Sequence, residues 1–152
     1  VPESQPVQRL MAAMLAYRQW AIDHPTDYML IYGNPIPGYH APREVTVPAV
    51  MRTSVTFVSL LQALDEGGLL TLPSDYDDLP PTVAEHLRGI LGRDGYEVPV
   101  GVLYLTTVVW TRIHGMISLE LYGHTPPVVG DPAAMYRYEA QLLFKHMGLP
   151  PP

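Results

Sequence analysis

The sequence predicts an all-α domain, an antiparallel bundle of about six helices, and three observations carry that expectation. Most of the 17 prolines sit where a helix would begin or end, the positions at which a missing N–H is harmless or a stop is wanted. Apolar residues recur at spacings of three and four over long segments, the period of a helix with one buried side. The one stretch rich in β-branched residues, "EVTVPAVMRTSVTFVSLL", contains Pro48, which a central strand does not tolerate.

Taken in order, the first helix covers 6–23 and gathers Val7, Leu10, Met11, Met14 and Ala21 on one side, with Gln8, Gln19 and Asp23 opposite. A short second helix covers 25–32. Gly33 and Gly38 then read as turn formers in a loop, "NPIPGYHAP", that separates it from the third. The third, 43–65, places Val47, Val50, Met51, Ser54, Val55, Val58 and Leu61 on one side and Arg52, Thr56, Ser59 and Ala63 on the other. A second long loop, "EGGLLTLPSDYDDLPP", precedes the fourth helix, 82–92, where Thr82 and Glu85 have capping-box spacing. The fifth covers 99–122. The sixth, 132–147, has the clearest signals: Asp131 as cap, Pro132 at the first position, Gly148 for a left-handed ending and Pro150 to forbid continuation.

Composition excludes several classes. A chain of 152 residues, 47% hydrophobic, suits one domain spanning 1–152 with a real core. Nine Lys and Arg against fifteen Asp and Glu, net charge -6, leave no clustered positive charge for a nucleic-acid surface. The absence of cysteine removes disulfides and thiolate metal sites and fits the cytoplasm. The run "VPVGVLYLTTVVW" stops at Arg112 and His114, short of the roughly 20 apolar residues of a membrane span, so no membrane partner is expected. The opening "VPESQP" lacks an initiating Met and the regions of a signal peptide, as a fragment or processed product would. Glu120 and His124, four apart, read as an exposed pair near a helix end rather than metal ligands. "SDYDDL" lacks the glycine and terminal glutamate of a calcium loop, and there is no nucleophile elbow or phosphate-cradling loop. No catalytic residue, metal or cofactor is expected, and the chain does not read as an enzyme.

The fifth helix raises the functional question. Val102, Leu105, Val109, Ile113 and Met116 form an aliphatic stripe, while Leu103, Tyr104, Thr107, Trp110, Thr111, His114, Ser118, Leu121 and Tyr122 spread over the other side. A helix apolar on both sides is central, or lies between its own domain and a partner. Its buried hydroxyls, indole and imidazole each cost about 1–3 kcal/mol if left unpaired, so they need internal partners, water or a ligand. Trp110 and His114, one turn apart, are either a core histidine packed under an indole or part of a ligand contact. Tyr17, Trp20, Tyr28, Tyr32 and Tyr104 are aromatic wall or ordinary core on the same terms. Gly115 reads as a point of close helix approach.

"WTRIHG" at 110–115, followed by "ISLELYG" and a final helix "YRYEAQLLFKHMGL", resembles the C-terminal domain of TetR-type transcriptional regulators, in the class named for its Trp-His-Gly signature. Trp110, His114 and Gly115 match that signature, and "HPTDYMLIYGNPIPGY" resembles the early part of the same domain. The resemblance implies a helical domain that binds a mostly apolar small effector and dimerises through its last two long helices. DNA would be read only through an N-terminal helix-turn-helix domain not contained in these residues. The alternative is a purely structural helical module with a filled core.

From the residues, a pocket is expected between the first, third and fifth helices, with the short second helix and "NPIPGYHAP" near its mouth. Met14, Tyr17, Met51, Ser54, Phe57, Val58, Tyr104, Thr107, Trp110 and His114 would line it, an apolar wall with a few placed polar groups. Without several buried Lys or Arg it suits a neutral, aromatic or lipid-like effector. The last two helices each carry apolar groups on more than one side, so a twofold homodimer is expected, with Val109, Ile113, Met116, Met135, Tyr138 and Leu142 at the interface. Which side of the fifth helix lines the pocket is left open.

Overall fold

A computed structural model of the chain describes residues 1–33, 38, 42–76, 78–94 and 97–151, with the backbone alone at 43, 45–53 and 94. Among the described residues there are seven α-helices and no strand: α1 Pro6–Asp23, α2 Pro25–Tyr32, α3 Arg43–Glu66, α4 Pro81–Asp94, α5 Val100–Leu121, α6 Pro126–Val129 and α7 Pro132–His146. Each helix starts on a proline or directly after one. Proline supplies a helical φ in advance and gives up only an N–H that the first turn could not use.

The six expected helices are present and three details differ. α4 begins at Pro81, and the carbonyl of Pro80 accepts from Val83 and Ala84 N–H at 2.9 and 3.0 Å. Thr82 is therefore inside the first turn, and the capping box is not its start. The four-residue α6 was not expected, and a 3₁₀ turn, Ser74–Tyr76, forms within the acidic loop. The α7 signals act as read: the Asp131 carboxylate accepts from Ala134 N–H at 2.9 Å, and Gly148 takes φ +69°. Close approach adds a second demand on Gly148, since a Cβ there would lie 2.8 Å from Thr71 Cβ. Thr71 N–H also donates to Met147 O at 2.9 Å, which ties the loop after α3 to the end of α7.

α5 is the axis of the domain, in contact with α1, α3, α4 and α7. Val102, Leu105, Val109, Ile113 and Ile117 have no exposed surface. They meet Leu10 and Met14 of α1, Leu61 and Leu64 of α3, and Leu143 and Phe144 of α7 in one core, each such side chain stabilising the fold by about 1.5–3 kcal/mol. By length and composition alone α5 could cross a membrane, because the helix continues through Arg112 and His114 where the apolar run was expected to stop. Helices of the same chain cover its aliphatic stripe instead, and its apolar character is that of a core helix with one flank left open.

The apolar side of α3 is rotated from the expected one. In its described half, Phe57, Val58, Leu60, Leu61 and Leu64 are buried while Val55 is exposed. The expected stripe residues Val47, Val50 and Met51 have side chains outside the described residues.

Candidate functional site

The polar groups of α5 converge with aromatic residues from α1 and α2. Tyr17 comes from α1, Tyr28 and Tyr32 from α2, and Trp110, His114 and Ser118 from α5 at spacings of four, which put the last three on one side of the helix. The indole of Trp110 stacks on the His114 ring, centroids 4.6 Å apart and planes 24° from parallel. Tyr32 meets His114 edge-on at 4.8 Å. The outer ring of the cluster is Trp20, stacked on Tyr17 at 6.3 Å, and Phe57 of α3, edge-on to Tyr17 at 6.5 Å.

Hydrogen-bond contacts link the polar groups of this cluster. Tyr17 Oη lies 3.0 Å from His114 Nδ1. Tyr28 Oη is 3.0 Å from Nδ1, 3.3 Å from Nε2 and 2.9 Å from Ser118 Oγ. An oxygen near both ring nitrogens yet clear of the carbon between them must lie above the imidazole plane, in keeping with the stacked Tyr28 and His114 rings, 29° from parallel. The Tyr17 and Tyr28 hydroxyls both reach Nδ1, and which group donates follows from the imidazole tautomer. Burial pushes the His114 pKa down and keeps the ring neutral. It pushes the hydroxyls of Tyr17 and Tyr28 up, with neighbouring tyrosines adding to the effect, while hydrogen bonds from Ser118 and Tyr17 partly offset it at Tyr28. The cluster is uncharged near neutral pH.

Next to it, α1 is clamped to the rest of the bundle. Arg18 donates to both carboxylate oxygens of Glu120, Nε to Oε2 at 2.9 Å, with the two side chains only 14% and 13% exposed. The Arg18 guanidinium also lies 5.8 Å from the ring centre of Tyr136, whose hydroxyl donates to Met14 O at 2.8 Å. Tyr17 and Arg18, adjacent in sequence, thus connect α1 to two points on α5 six residues apart.

Comparison with known proteins gives this arrangement its setting. Residues 10–143 match the family model described as "Tetracyclin repressor-like, C-terminal domain". The chain belongs to the TetR C-terminal-domain family. It is 30% identical over 136 residues to the HTH-type transcriptional regulators Rv1816 of Mycobacterium tuberculosis and Mb1846 of Mycobacterium bovis, a match covering 88% of this chain and 57% of each relative. It therefore spans a little over half the length of the curated relatives it matches. Those relatives are transcriptional regulators, and TetR-type regulators in general dimerise and bind DNA and effectors.

This TetR-type domain brings together only part of the expected pocket. Tyr17, Trp110 and His114 meet, with Phe57 at the edge, while Met14, Phe57 and Val58 are core residues 0%, 3% and 4% exposed. Thr107 is exposed, with its hydroxyl turned back to Leu103 O at 3.1 Å. Tyr104 points elsewhere, edge-on to Tyr76 at 5.0 Å. Ser54 is half-buried, and the side chain of Met51 is outside the described residues. α2 forms a wall of the cluster, whereas it was expected at the mouth. Two surface grooves are described, about 500 Å³ between α1 and α3 and about 360 Å³ beside α2, and none of the ten expected residues lines either. The α1–α3 groove lies on the outer side of those helices, where Arg9, Ala13, Val55 and Ser59 are found.

The expected interface residues also divide. Val109 and Ile113 are completely buried within their own chain and cannot touch a partner, because the α5 stripe they belong to packs into the core formed by that chain's helices. Met116 and Met135 are half-buried. Tyr138 and Leu142 are 61% and 36% exposed, and Leu119 and Tyr122 of α5 are exposed as well. Gly115 has nothing within 4 Å of where a Cβ would be, so among the described residues no other helix approaches there. Glu120 pairs with Arg18, not with His124. The signal for that was present: Glu120 is the sole carboxylate of α5, and a buried charge needs a partner.

Proposed function

We propose that this domain is the effector-binding and dimerisation half of a TetR-type regulator, with the effector received at the Tyr17–Tyr28–His114–Trp110 cluster. The observation that carries the reading is the placement of a neutral hydrogen-bonding imidazole beneath an indole, enclosed by aromatic residues of α1 and α2. Uncharged aromatic surface with a few directional polar groups suits a neutral, largely apolar small molecule. A ligand that displaces Tyr17 from His114 would act directly on α1. DNA recognition would belong to a helix-turn-helix region in the part of the relatives that this match does not cover, and a cytoplasmic location follows from that role. The 152 residues alone should give no sequence-specific shift of duplex DNA at physiological salt.

Dimerisation would use the exposed surface of α5 and α7. Thr111, Leu119 and Tyr122 on α5 and Tyr138 and Leu142 on α7 are exposed at helical spacings, and bare backbone at Gly115 lets a partner helix come close. Two copies related by a twofold axis would bury the same patch on each.

The structural alternative rests on one observation: the Tyr17, Tyr28 and Ser118 hydroxyls and the His114 ring already lie within hydrogen-bond distance of one another, as in a filled core. A ligand screen separates the two readings. Both tryptophans of the chain belong to this cluster, so their fluorescence reports on it. An effector should raise Tm in proportion to log concentration and change tryptophan emission, and Trp110→Leu should abolish both effects. A compound that stabilises the parent and Trp110→Leu equally binds elsewhere and removes the proposed site.

A further inference from the structure

A cluster filled by its own side chains states what it accepts. Tyr32 is the last residue of α2, half-buried, with its ring edge against His114 and its centroid 6.4 Å from that of Trp110. Its ring meets that of Tyr17 edge-on, centroids 6.4 Å apart, and its hydroxyl is among the groups that push the Tyr17 pKa up. We propose that Tyr32 is an internal stand-in for the effector, and that the site takes a planar phenol-class molecule. The ligand ring replaces that of Tyr32 against His114 and Trp110, and its hydroxyl takes the place beside Tyr17. This rests on the reading of the cluster as the effector site and adds the chemistry of the ligand.

The physical case is a comparison of the two α2 tyrosines. Tyr28 is 1% exposed and holds contacts to His114 and Ser118, so expelling it would strand buried polar groups on both. Tyr32 sits at the end of an eight-residue helix, too short to be stable on its own. The outward residues of that helix, Leu30 and Ile31, are 80% and 55% exposed, so letting the last turn swing away breaks no packing there. The space vacated is bounded by aromatic faces and edges, which favour an edge-on or offset flat ring over a puckered aliphatic one. A net charge on the ligand would be buried without a counter-ion, since Arg18 and Glu120 neutralise each other.

Competition with Tyr32 lowers apparent affinity by the fraction of molecules in which the ring has left, and removing the ring restores it. Phenol, cyclohexanol and toluene are titrated against the parent chain, Tyr32→Ala and Tyr76→Ala, with the Trp110 indole N–H shift in NMR as readout. Tyr76 is the control: it too is half-buried and meets an α5 aromatic edge-on, Tyr104 at 5.0 Å. The expected result is phenol binding about tenfold tighter to Tyr32→Ala than to the parent, no gain in Tyr76→Ala, and cyclohexanol and toluene about tenfold weaker than phenol in every chain. Tyr32→Ser, which likewise removes the ring, carries the same expectation should Tyr32→Ala not fold. Equal gain in Tyr76→Ala, or cyclohexanol as tight as phenol, overturns the proposal. Cyclohexanol or toluene moving the Trp110 signal while phenol does not overturns the phenol assignment alone and leaves the effector site standing. No shift of Trp110 with any compound in any chain overturns the site as well.

Discussion

His114 combines two facts that make its titration measurable: burial lowers its pKa, and its ring lies within hydrogen-bond distance of the Tyr17 and Tyr28 hydroxyls. In the unfolded chain it takes up a proton near pH 6.5; in the folded chain it does so at lower pH. The unfolded state therefore binds more protons just below pH 6.5, and stability should fall as pH drops through that window, then level once the folded ring protonates too. Tm measured from pH 7.5 to 5 should decline more steeply for the parent than for His114→Gln, and parallel curves would refute the assignment. At the neighbouring clamp, Glu120→Ala leaves a largely buried guanidinium unpaired and should cost about 3 kcal/mol in urea unfolding. Arg18→Ala combined with Glu120→Ala should cost less than the two single losses added together. By contrast the Arg112–Glu139 pair, 3.2 Å apart with its side chains 47% and 31% exposed, should change stability by less than about 1 kcal/mol when Arg112 is replaced by Ala.

The helices owe their ends to proline and glycine, and the two residues contribute in different ways. Proline at a helix start constrains φ in the unfolded and folded chain alike, a local effect visible in any window of sequence. Gly148 is local in its positive φ and tertiary in its proximity to Thr71. Gly148→Ala should therefore cost more than the roughly 1 kcal/mol of a left-handed alanine alone, because the methyl also pushes on a side chain held by the Thr71–Met147 backbone bond. Chemical denaturation of Gly148→Ala beside Gly130→Ala checks this. Gly130 has φ +72° with nothing within 4 Å of a Cβ, so the difference between the two isolates the contact.

For the whole molecule the open apolar surface of α5 and α7 is the feature that a single domain leaves unused. Sedimentation at micromolar concentration should show a dimer, and Tyr138→Glu with Leu142→Glu should give a monomer of unchanged helical content, since neither side chain belongs to the core. A parent that sediments as a monomer would refute the interface. The proposed effector site and the proposed dimer surface share α5, with His114 and Ser118 on one flank and Gly115 and Leu119 on the next. A ligand that rotates α5 or releases α1 would then be felt by both subunits, a coupling through one rigid element.

The all-α class, the six main helices and the special character of Trp110 and His114 were legible in the sequence, because proline punctuation and helical period are local properties. Periodicity also showed that α5 is apolar on two sides. It could not say which neighbour covers each side, so Val109 and Ile113 read as interface although they are core, and Thr107 and Tyr104 read as pocket although one is exposed and the other meets Tyr76. Those assignments depend on how helices cross and rotate about their axes, which is decided by packing among residues far apart in the chain. The pairing of Arg18 with Glu120, 102 residues away, has the same origin. The sequence by itself determined the six main helical segments and that the polar groups of α5 must be satisfied; the tertiary structure alone decided that Tyr17 and Tyr28 satisfy them, because only the docking of α1 and α2 on α5 brings their hydroxyls within reach.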